Sequence, residues 1–364
     1  MSAATTRRLD PDVFRLPIQR IRDGYYSDAY FVLTKQLLQD EGHHPHVTMQ
    51  VFQKQESVLG GIDEAVAVLK TCAGTYGADG EWVSGWEALT VRALHEGDRI
   101  SPRESVMTIE GDYSLFAHLE TVYLGSLARR SLIMRNVREV VEAARGKEIF
   151  YFPARHDHWL VQTGDGWSAH VAGAIGVSTD AQASWWGGRG MGTVPHGLIA
   201  AYGGDTVRAA RLFADHYHTE MNVTVLVDFV NDSVATALEV ATALGPKLWG
   251  VRLDTSEQLV DRSLWEEMGG FNPTGVNPRL VEKVRGALDG AGFDDVKIVA
   301  SGGFTAQRIR EFEALDVPVD AYGVGSSLIR GNNDFTADIV LLDGRPCAKV
   351  GRRFSPNPRL KPVT

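Results

Sequence analysis

Two glycine-centred turns near the C-terminal end of the sequence constrain the fold more than any other feature. The segments VKIVASGGFT (296–305) and VDAYGVGSSL (319–328) each consist of an apolar run followed by glycines. An apolar run bounded by turn residues predicts a buried strand, and glycine lets backbone N–H groups approach an anion. A helix is expected to begin after each turn, and the N-terminus of a helix favours phosphate.

In α/β barrels, the loops after the last two strands commonly form a phosphate site. The two turns therefore predict a phosphate cup and a phosphorylated ligand, although two plain strand-to-helix turns remain the alternative. The predicted phosphate-binding residues are Ser301, Gly302, Gly303, Gly323, Gly325 and Ser326.

Length and charge set broad limits on the class of protein. With 364 residues, the chain exceeds the usual size of a single core, which favours one large and one smaller domain. The hydrophobic fraction of 44% and the charged fraction of 23% are typical of a soluble globular protein. A formal net charge of −9 argues against nucleic acid or an anionic membrane as the main partner.

Cysteine content and hydropathy indicate a cytoplasmic location. Cys72 and Cys347 are the only cysteines, too few for a disulfide framework or a cysteine-bound metal, which fits a reducing compartment. No apolar stretch is long enough to span a bilayer, and the N-terminal segment MSAATTRRLDPD has no apolar signal core. We expect no structural metal site, because the C-terminal region carries no cysteine cluster.

The pattern of the chain changes near residue 145. Residues 1–145 combine helical and alternating segments, predicting an α+β domain that ends in a long linking helix from about residue 114. From residue 149 onward, short apolar runs with polar tips alternate with helical stretches, as parallel βαβ units require. Residues 336–364 contain a predicted hairpin with an Asp-Gly turn. We therefore predict an incomplete, irregular (β/α) barrel over 146–335 and a smaller α+β sandwich domain built from 1–145 and 336–364.

The polar residues at the C-terminal ends of these apolar runs, called tips below, form the candidate site. The reason is that the carboxyl ends of barrel strands surround the active site of such enzymes. These tips are Arg155, Thr179, Asp180, His196, Asp228, Arg252, Asp254 and Ser301. Arginines bind phosphate or carboxylate in bidentate fashion, and Asp254 can accept ribose hydroxyls or help hold a divalent metal near diphosphate. No nucleophilic serine motif or carboxylate pair dominates. Such a site suits transfer of a phosphorylated sugar, in which catalysis is mainly positioning and charge stabilisation.

The order of these tips resembles that of the nicotinate phosphoribosyltransferases, members of the type II phosphoribosyltransferases, and the match covers most of the chain. SDAYF (27–31) resembles the Thr-Asp-x-Tyr segment of that family, and FPAR (152–155) resembles its Phe-x-x-Arg. GVSTD (176–180) is similar to its Gly-Thr-Ser-Asn region and GTVPH (192–196) to its Gly-Thr-x-x-His. GVRLDTSE (250–257) is similar to its Val-Arg-x-Asp-Ser/Thr, and SGG and GVGSS to its two phosphate turns.

The resemblance implies a reaction that joins nicotinate to 5-phosphoribosyl-1-diphosphate, with Mg²⁺ present and ATP hydrolysed. His196 would be the residue phosphorylated by ATP, since imidazole is a competent nucleophile. Arg252 and Asp254 would hold the pyridine and phosphoribosyl region, with the aspartate on ribose hydroxyls. A structural histidine and a strand-end salt bridge are the corresponding non-functional alternatives.

The resemblance also implies a substrate pocket shared between two subunits. Phe152 and Tyr30 would stack on the pyridine ring, and Arg155 would contact phosphate or the nicotinate carboxylate. Thr179 is a further expected substrate contact. Asp28 and Tyr30 would come from the neighbouring subunit of a head-to-tail homodimer.

Several departures leave alternatives open. His156, followed by Asp157 and His158, stands where many relatives have a second arginine, so nicotinamide remains a rival base. Quinolinate enzymes are not expected to have the GTVPH histidine. The HDH triplet superficially resembles a metal-dependent amidohydrolase, and a non-catalytic sugar-phosphate binder is a further alternative. Trp185, Trp186 and Arg189 receive no assigned role.

Overall fold

The computed structural model describes residues 7–364. The first six residues, which belong to the N-terminal segment considered above, lie outside the described residues. The chain forms two compact units, one from residues up to 135 together with 331–364 and the other from 136–330. The sequence places the corresponding boundaries after residues 145 and 335.

The helices and strands of residues 7–364 are numbered along the chain. The α-helices are α1 Ile18–Arg22, α2 Ala29–Asp40, α3 Ile62–Cys72, α4 Glu120–Ala143, α5 Gln162–Ala172, α6 Asp180–Ala183, α7 His196–Ala201, α8 Thr206–Tyr217, α9 Ser233–Leu244, α10 Pro278–Gly290 and α11 Ala306–Ala314. The strands are β1 His46–Gln53, β2 Ser57–Val58, β3 Gly74–Tyr76, β4 Trp82–Ser84, β5 Thr90–Ala93, β6 Arg99–Ile100, β7 Ser105–Asp112, β8 Glu148–Tyr151, β9 Gly176–Val177, β10 Val223–Leu226, β11 Leu248–Leu253, β12 Lys297–Ala300, β13 Ala321–Val324, β14 Phe335–Leu342, β15 Arg345–Pro346 and β16 Lys361–Pro362.

The first unit is built on an antiparallel sheet with the strand order β15-β14-β1-β7-β5-β16. Strand β1 lies inside the sheet, paired with β14 on one side and β7 on the other, and is buried along almost its whole length. The C-terminal segment joins this sheet through β14 and β16. The predicted hairpin is confirmed, since Asp343 and Gly344 both have positive φ between the paired strands β14 and β15.

The second unit is built on a parallel sheet with the order β10-β11-β12-β13-β8-β9. Helices such as α9 and α10 connect successive strands, as the sequence pattern predicts. An incomplete (β/α) barrel with a separate α+β sandwich domain is therefore the fold, and the predicted class is confirmed.

The GTVPH run does not form a full strand, contrary to the prediction. Met191 N donates to Val177 O at 2.7 Å and Val194 N donates to Thr224 O at 2.8 Å, so this segment lies between β9 and β10 with one bond to each. Pro195 follows at once and has no N–H to extend a ladder. Helix α7 then begins at His196.

The predicted helices around the glycine turns are only partly correct. After the first turn, Thr305 caps α11 by accepting a hydrogen bond from Arg308 N at 3.2 Å. After the second turn, the chain forms only a 3-10 turn, Ser326–Ile329, and becomes extended at Arg330. Strand β14 begins at Phe335. The long helix predicted from about residue 114 is α4, which begins at Glu120 after two 3-10 turns.

No helix among residues 7–364 is long and apolar enough to cross a membrane.

Replacing Ile298 by alanine is expected to destabilise the second unit by about 2–5 kcal/mol. Ile298 is fully buried on β12, between β11 and β13, so truncation leaves a cavity in the sheet core. Urea denaturation followed by circular dichroism measures the effect. Leu315→Ala, in the same unit but 65% exposed, is the control and should change the free energy of unfolding by less than about 0.5 kcal/mol. Equal effects of the two substitutions would contradict the assignment of Ile298 to the core.

Candidate active site

A hydrogen-bonded network joins the carboxyl ends of β11 and β12. The Nε atom of Arg252 donates to Ser301 Oγ at 2.7 Å, and its Nη2 atom lies 3.2 Å from Asp254 Oδ2. Ser301 is almost fully buried, and its Oγ lies 2.8 Å from Asp254 Oδ1 and 2.9 Å from Leu253 O. Arg252 and Asp254 remain partly accessible, at 18% and 23% of their side-chain surface. Three predicted residues are thus brought together in one rigid group with two charged ends facing solvent.

His196 and Asp228 form the next part of the site. The Nε2 atom of His196 lies 2.9 Å from Asp228 Oδ1, with side-chain exposures of 43% and 6%. This hydrogen bond is the main reason why the pKa of His196 is raised above its usual value. Asp254 and Arg252 also act electrostatically on His196, so the pair lies beside the network at the ends of β11 and β12. Since Nε2 faces Asp228, Nδ1 is the nitrogen left for chemistry.

The two glycine turns lie on neighbouring parallel strands and are tied together. Ser327 Oγ donates to Phe304 O at 2.8 Å, which links the turn after β13 to the turn after β12. Gly302 and Gly303 have φ values of 85° and 70°, a left-handed conformation that other residues adopt at a cost.

The backbone donors of this cup are free. Within residues 7–364, the N–H groups of Gly302, Gly303, Gly325 and Ser326 donate to no protein acceptor. Backbone donors of this kind on adjacent turns bind phosphate in many proteins. The assignment of these residues to a phosphate cup stays a prediction.

Two arginines and a histidine border the second turn. The Cε1 atom of His156 would lie 3.0 Å from a Cβ placed on Gly325, so the imidazole ring abuts the turn. Arg330 Nη2 reaches Ser326 Oγ at 3.5 Å. Arg155 is exposed and makes no ion pair within the described residues. Burial and the charges of Arg155 and Arg330 lower the pKa of His156, which places all three groups near one another.

Phe152 packs against the same turn region. Its ring would lie 2.7 Å from a Cβ on Gly323, and it stacks on Phe150 with ring centroids 5.8 Å apart. The guanidinium carbon of Arg252 lies 5.1 Å from the centroid of Phe152. Phe152 also lines a cavity of about 160 Å³ inside the half-barrel, together with Met191 and Trp249. An aromatic face therefore adjoins the charged network.

Thr179 is already engaged in the protein. Its Oγ1 accepts from Gln182 N at 3.1 Å and donates to Gln162 Oε1 at 2.9 Å, forming a capping box at the start of α6. Its predicted role as a substrate contact stays a prediction.

Asp28 and Tyr30 lie at the start of α2 in the first unit. Asp28 Oδ2 accepts from Thr121 Oγ1 at 2.9 Å and lies 3.4 Å from the hydroxyl of Tyr30. Tyr30 is 61% exposed. The two side chains thus form a small polar group on the surface of that unit.

Sequence reasoning missed three contributors. Asp228 was recognised as a strand tip but not as the partner of His196. Thr193, within the GTVPH motif, lies 3.4 Å from Arg252 Nη1. Arg308 reaches back from α11 and donates to Gly302 O at 3.0 Å. The only signal for Arg308 was its position one turn into the helix that follows the first glycine turn.

Comparison with known proteins identifies the family. The family described as quinolinate phosphoribosyl transferase, N-terminal domain, matches residues 28–131. The crystal structure of a nicotinate-nucleotide pyrophosphorylase from Pyrococcus furiosus is 33% identical, with a TM-score of 0.77, and the match covers 93% of this chain and 80% of that one. The chain belongs to the nicotinate phosphoribosyltransferase family of type II phosphoribosyltransferases. The resemblance inferred from sequence is thus confirmed.

Other relatives of the nicotinate phosphoribosyltransferase family agree with this assignment. A nicotinate phosphoribosyltransferase of Mycobacterium tuberculosis is 28% identical over 261 residues, which cover 70% of this chain and 52% of that protein. The chain spans about half the length of the curated relatives it matches. The crystal structure of human nicotinic acid phosphoribosyltransferase, 16% identical with a TM-score of 0.65 over 91% of this chain and 77% of that one, shares the fold.

With the phosphoribosyl donor and the base that the sequence resemblance implies, replacing Gly302 by valine is expected to raise the KM for the donor more than the KM for the base. A β-branched residue is strained at the φ of 85° and displaces the N–H donors of the cup. Losing one hydrogen bond to a charged group weakens donor binding by about tenfold, and steady-state kinetics with each substrate varied measures the change.

Gly292→Val is the matched control for this variant. Gly292 has a similar φ of 80°, no neighbour within 4 Å of an added Cβ, and a position after α10, before β12. It should lower stability without changing either KM. Equal changes in both KM values for Gly302→Val would contradict the cup.

Proposed function

We propose that this protein transfers the 5-phosphoribosyl group from phosphoribosyl diphosphate to nicotinate, forming nicotinate mononucleotide and diphosphate in NAD biosynthesis. The observation that carries the proposal is the meeting of free backbone donors, the Arg252–Asp254 network and the His196–Asp228 pair at one edge of a parallel sheet. The names of the relatives, a nicotinate-nucleotide pyrophosphorylase and nicotinate phosphoribosyltransferases, support this choice of reaction.

The cup and the network bind different parts of the phosphoribosyl donor. The N–H groups of Gly302, Gly303, Gly325 and Ser326 take the 5-phosphate, as a charge-assisted set of backbone donors. Asp254 accepts hydrogen bonds from the ribose hydroxyl groups. Arg252, held in position by Ser301, stabilises the negative charge that develops on the departing diphosphate. Catalysis then depends on holding the pyridine nitrogen in line with C1 of the ribose.

ATP coupling depends on the orientation of His196. In the neutral ring, Nε2–H donates to Asp228 and the lone pair of Nδ1 is available for attack on the γ-phosphorus of ATP. The phosphoryl group would move to Nδ1 with release of ADP, and hydrolysis of the phosphohistidine would release phosphate. Asp228 stabilises the positive charge of the phosphorylated ring.

The residues present fit a magnesium ion that arrives with diphosphate. Mg²⁺ takes oxygen ligands, usually one or two carboxylates with several waters and phosphate oxygens. Asp254 and Asp228, at adjacent strand ends, would supply such carboxylates, and Mg²⁺ would neutralise part of the diphosphate charge. No group of three or more His, Cys, Asp or Glu side chains within residues 7–364 is arranged as a metal site of its own.

The exposed face around α2 supports a homodimer with shared active sites. Tyr25, Tyr30, Leu33 and Leu37 are each more than 60% exposed, and a row of this kind commonly marks a protein interface. Asp28 and Tyr30 lie within this face. We infer that it packs head to tail on a second copy, where these two residues complete the substrate pocket.

The cationic rim favours a carboxylated base over a neutral amide. Arg155 is exposed without an ion pair in the described chain, beside His156 and Arg330. A carboxylate requires donors, whereas an amide also requires an acceptor. Nicotinamide is therefore the weaker candidate.

The free cysteines Cys72 and Cys347 suit a cytoplasmic enzyme that uses ATP.

Formation of mononucleotide by the purified protein tests the proposal. The protein is offered Mg²⁺, phosphoribosyl diphosphate and nicotinate, nicotinamide or quinolinate, each with and without ATP. We expect product from nicotinate, enhanced by ATP. Product from nicotinamide or quinolinate alone would assign a different base, and no product from any base would favour a non-catalytic sugar-phosphate binder.

His196→Ala is expected to abolish the stimulation by ATP while ATP-independent transfer remains. Phosphohistidine analysis by ³¹P NMR after incubation with ATP should detect the Nδ1 isomer in the unmodified enzyme and none in the variant. His170→Ala, which removes a histidine that stacks on Trp186 away from this network, is the control. Stimulation by ATP that survives in His196→Ala would rule out the role of this residue.

Asp228→Asn is expected to move the pH dependence of ATP stimulation to lower pH. Only the unprotonated ring attacks ATP, so stimulation rises as the pH increases through the pKa of His196. Asp228 raises that pKa, and removing its charge lowers it. The measurement is the ATP-dependent rate from pH 5 to 9, with the ATP-independent rate as internal reference. An unshifted profile in a folded variant would contradict the coupling between the two side chains.

A further inference from the structure

A cationic pocket that is separate from the candidate active site lies within the first unit. It has a volume of about 170 Å³ and lies where β1, the loop before β7 and the C-terminal tail meet. The residues that line it and bear on its chemistry are Gln50, Phe52, Arg103, Arg352, Arg353 and Ser355.

Gln50 holds the tail in place over the sheet. Its side chain is almost fully buried; Nε2 donates to Arg353 O at 3.1 Å, and Oε1 accepts from Ser355 N at 3.0 Å. Both ends of the amide are therefore used on the tail. This clamp brings two consecutive arginines, Arg352 and Arg353, to the pocket that also contains Arg103.

Arg352 is fixed by two further contacts. Its Nε atom donates to Asp338 Oδ2 at 2.6 Å, and its guanidinium carbon lies 5.4 Å from the centroid of Phe52. Asp338 is the partner of Gln50 in the β1–β14 register, so the anchor belongs to the same two strands. A guanidinium held on an aromatic ring presents its remaining donors in a fixed plane.

The pocket retains an excess of positive charge. Arg103 and Arg353 are exposed, and neither side chain has an ion-pair partner within residues 7–364. Only Arg352 is paired with a carboxylate. Residues 344–364 contain six lysines and arginines and no aspartate or glutamate, in a chain with a net charge of −9. Three guanidinium groups around one concavity match the oxygens of a phosphate group, which arginine binds in bidentate fashion.

We propose that this pocket binds an anion of phosphate chemistry, either free phosphate, diphosphate or the phosphate tail of a nucleotide. The site is separate from the glycine cup, because it lies in the other unit and uses side-chain guanidinium groups in place of backbone N–H groups. Arg103 and Arg353 supply the free donors, and Arg352 supplies a fixed third group.

Isothermal titration of the full chain with inorganic phosphate, diphosphate and ADP, at constant ionic strength in chloride, tests this proposal. R103Q/R353Q removes two charges and keeps long polar side chains, and it should weaken binding at the pocket by at least about tenfold. The ligand that binds most tightly identifies the source of the phosphate. Arg353→Gln alone serves if the double variant does not fold.

Two controls separate the pocket from the cup and from general charge effects. Gly302→Val is directed at the cup and should leave the pocket event intact. Arg15→Gln removes an exposed arginine outside the pocket. Like Arg103, Arg15 has a positive φ, 47° against 64°. This variant should bind the phosphate ligands as tightly as the unmodified chain does. The proposal is wrong if R103Q/R353Q leaves every binding event unchanged, or if the only event is the one that Gly302→Val removes.

Discussion

The hydroxyl group of Ser301 joins the two strand ends on which the candidate active site depends. It lies within hydrogen-bond distance of Arg252 Nε, Asp254 Oδ1 and Leu253 O, and it is almost completely buried. A buried polar network of this kind is rigid when all of its members are satisfied. Arg252 and Asp254 thereby keep a defined separation, and the first glycine turn begins at the next residue. Ser301 and the direct contact between Arg252 and Asp254 therefore set the spacing between the guanidinium group, the carboxylate and the cup.

Around this group, hydrogen bonds hold each candidate side chain in one orientation and leave part of its hydrogen-bonding capacity unused. His196 has Nε2 committed to Asp228, and Nδ1 remains available. Arg252 commits Nε to Ser301 and shares Nη2 with Asp254. The cup follows the same principle in the backbone, because the N–H groups of Gly302 and Gly303, both at positive φ, donate to no acceptor within residues 7–364. Pre-oriented donors of this type stabilise developing charge without reorganisation.

Much of the fold was predictable because local patterns report burial. Apolar runs followed by helical stretches predicted the parallel sheet, and the Asp-Gly turn predicted the hairpin that returns to the first sheet. The GTVPH run was predicted incorrectly as a strand, since an apolar run cannot reveal that only Val194 bridges to β10. The short turn after Gly325 was likewise missed, because the local pattern does not show that the backbone becomes extended at Arg330.

The sequence by itself determined the order of the chemical groups along the chain and the positions that require glycine. Their place at the ends of apolar runs, together with the motifs around them, makes His196, Arg252, Asp254 and the glycine turns candidates from sequence alone. Only the tertiary structure decided the pairings: Asp228 with His196, Thr193 with Arg252, and Arg308 with the first turn. The physical reason is that hydrogen bonds act over about 3 Å, and parallel strands far apart in the chain come within that distance only after the sheet has formed.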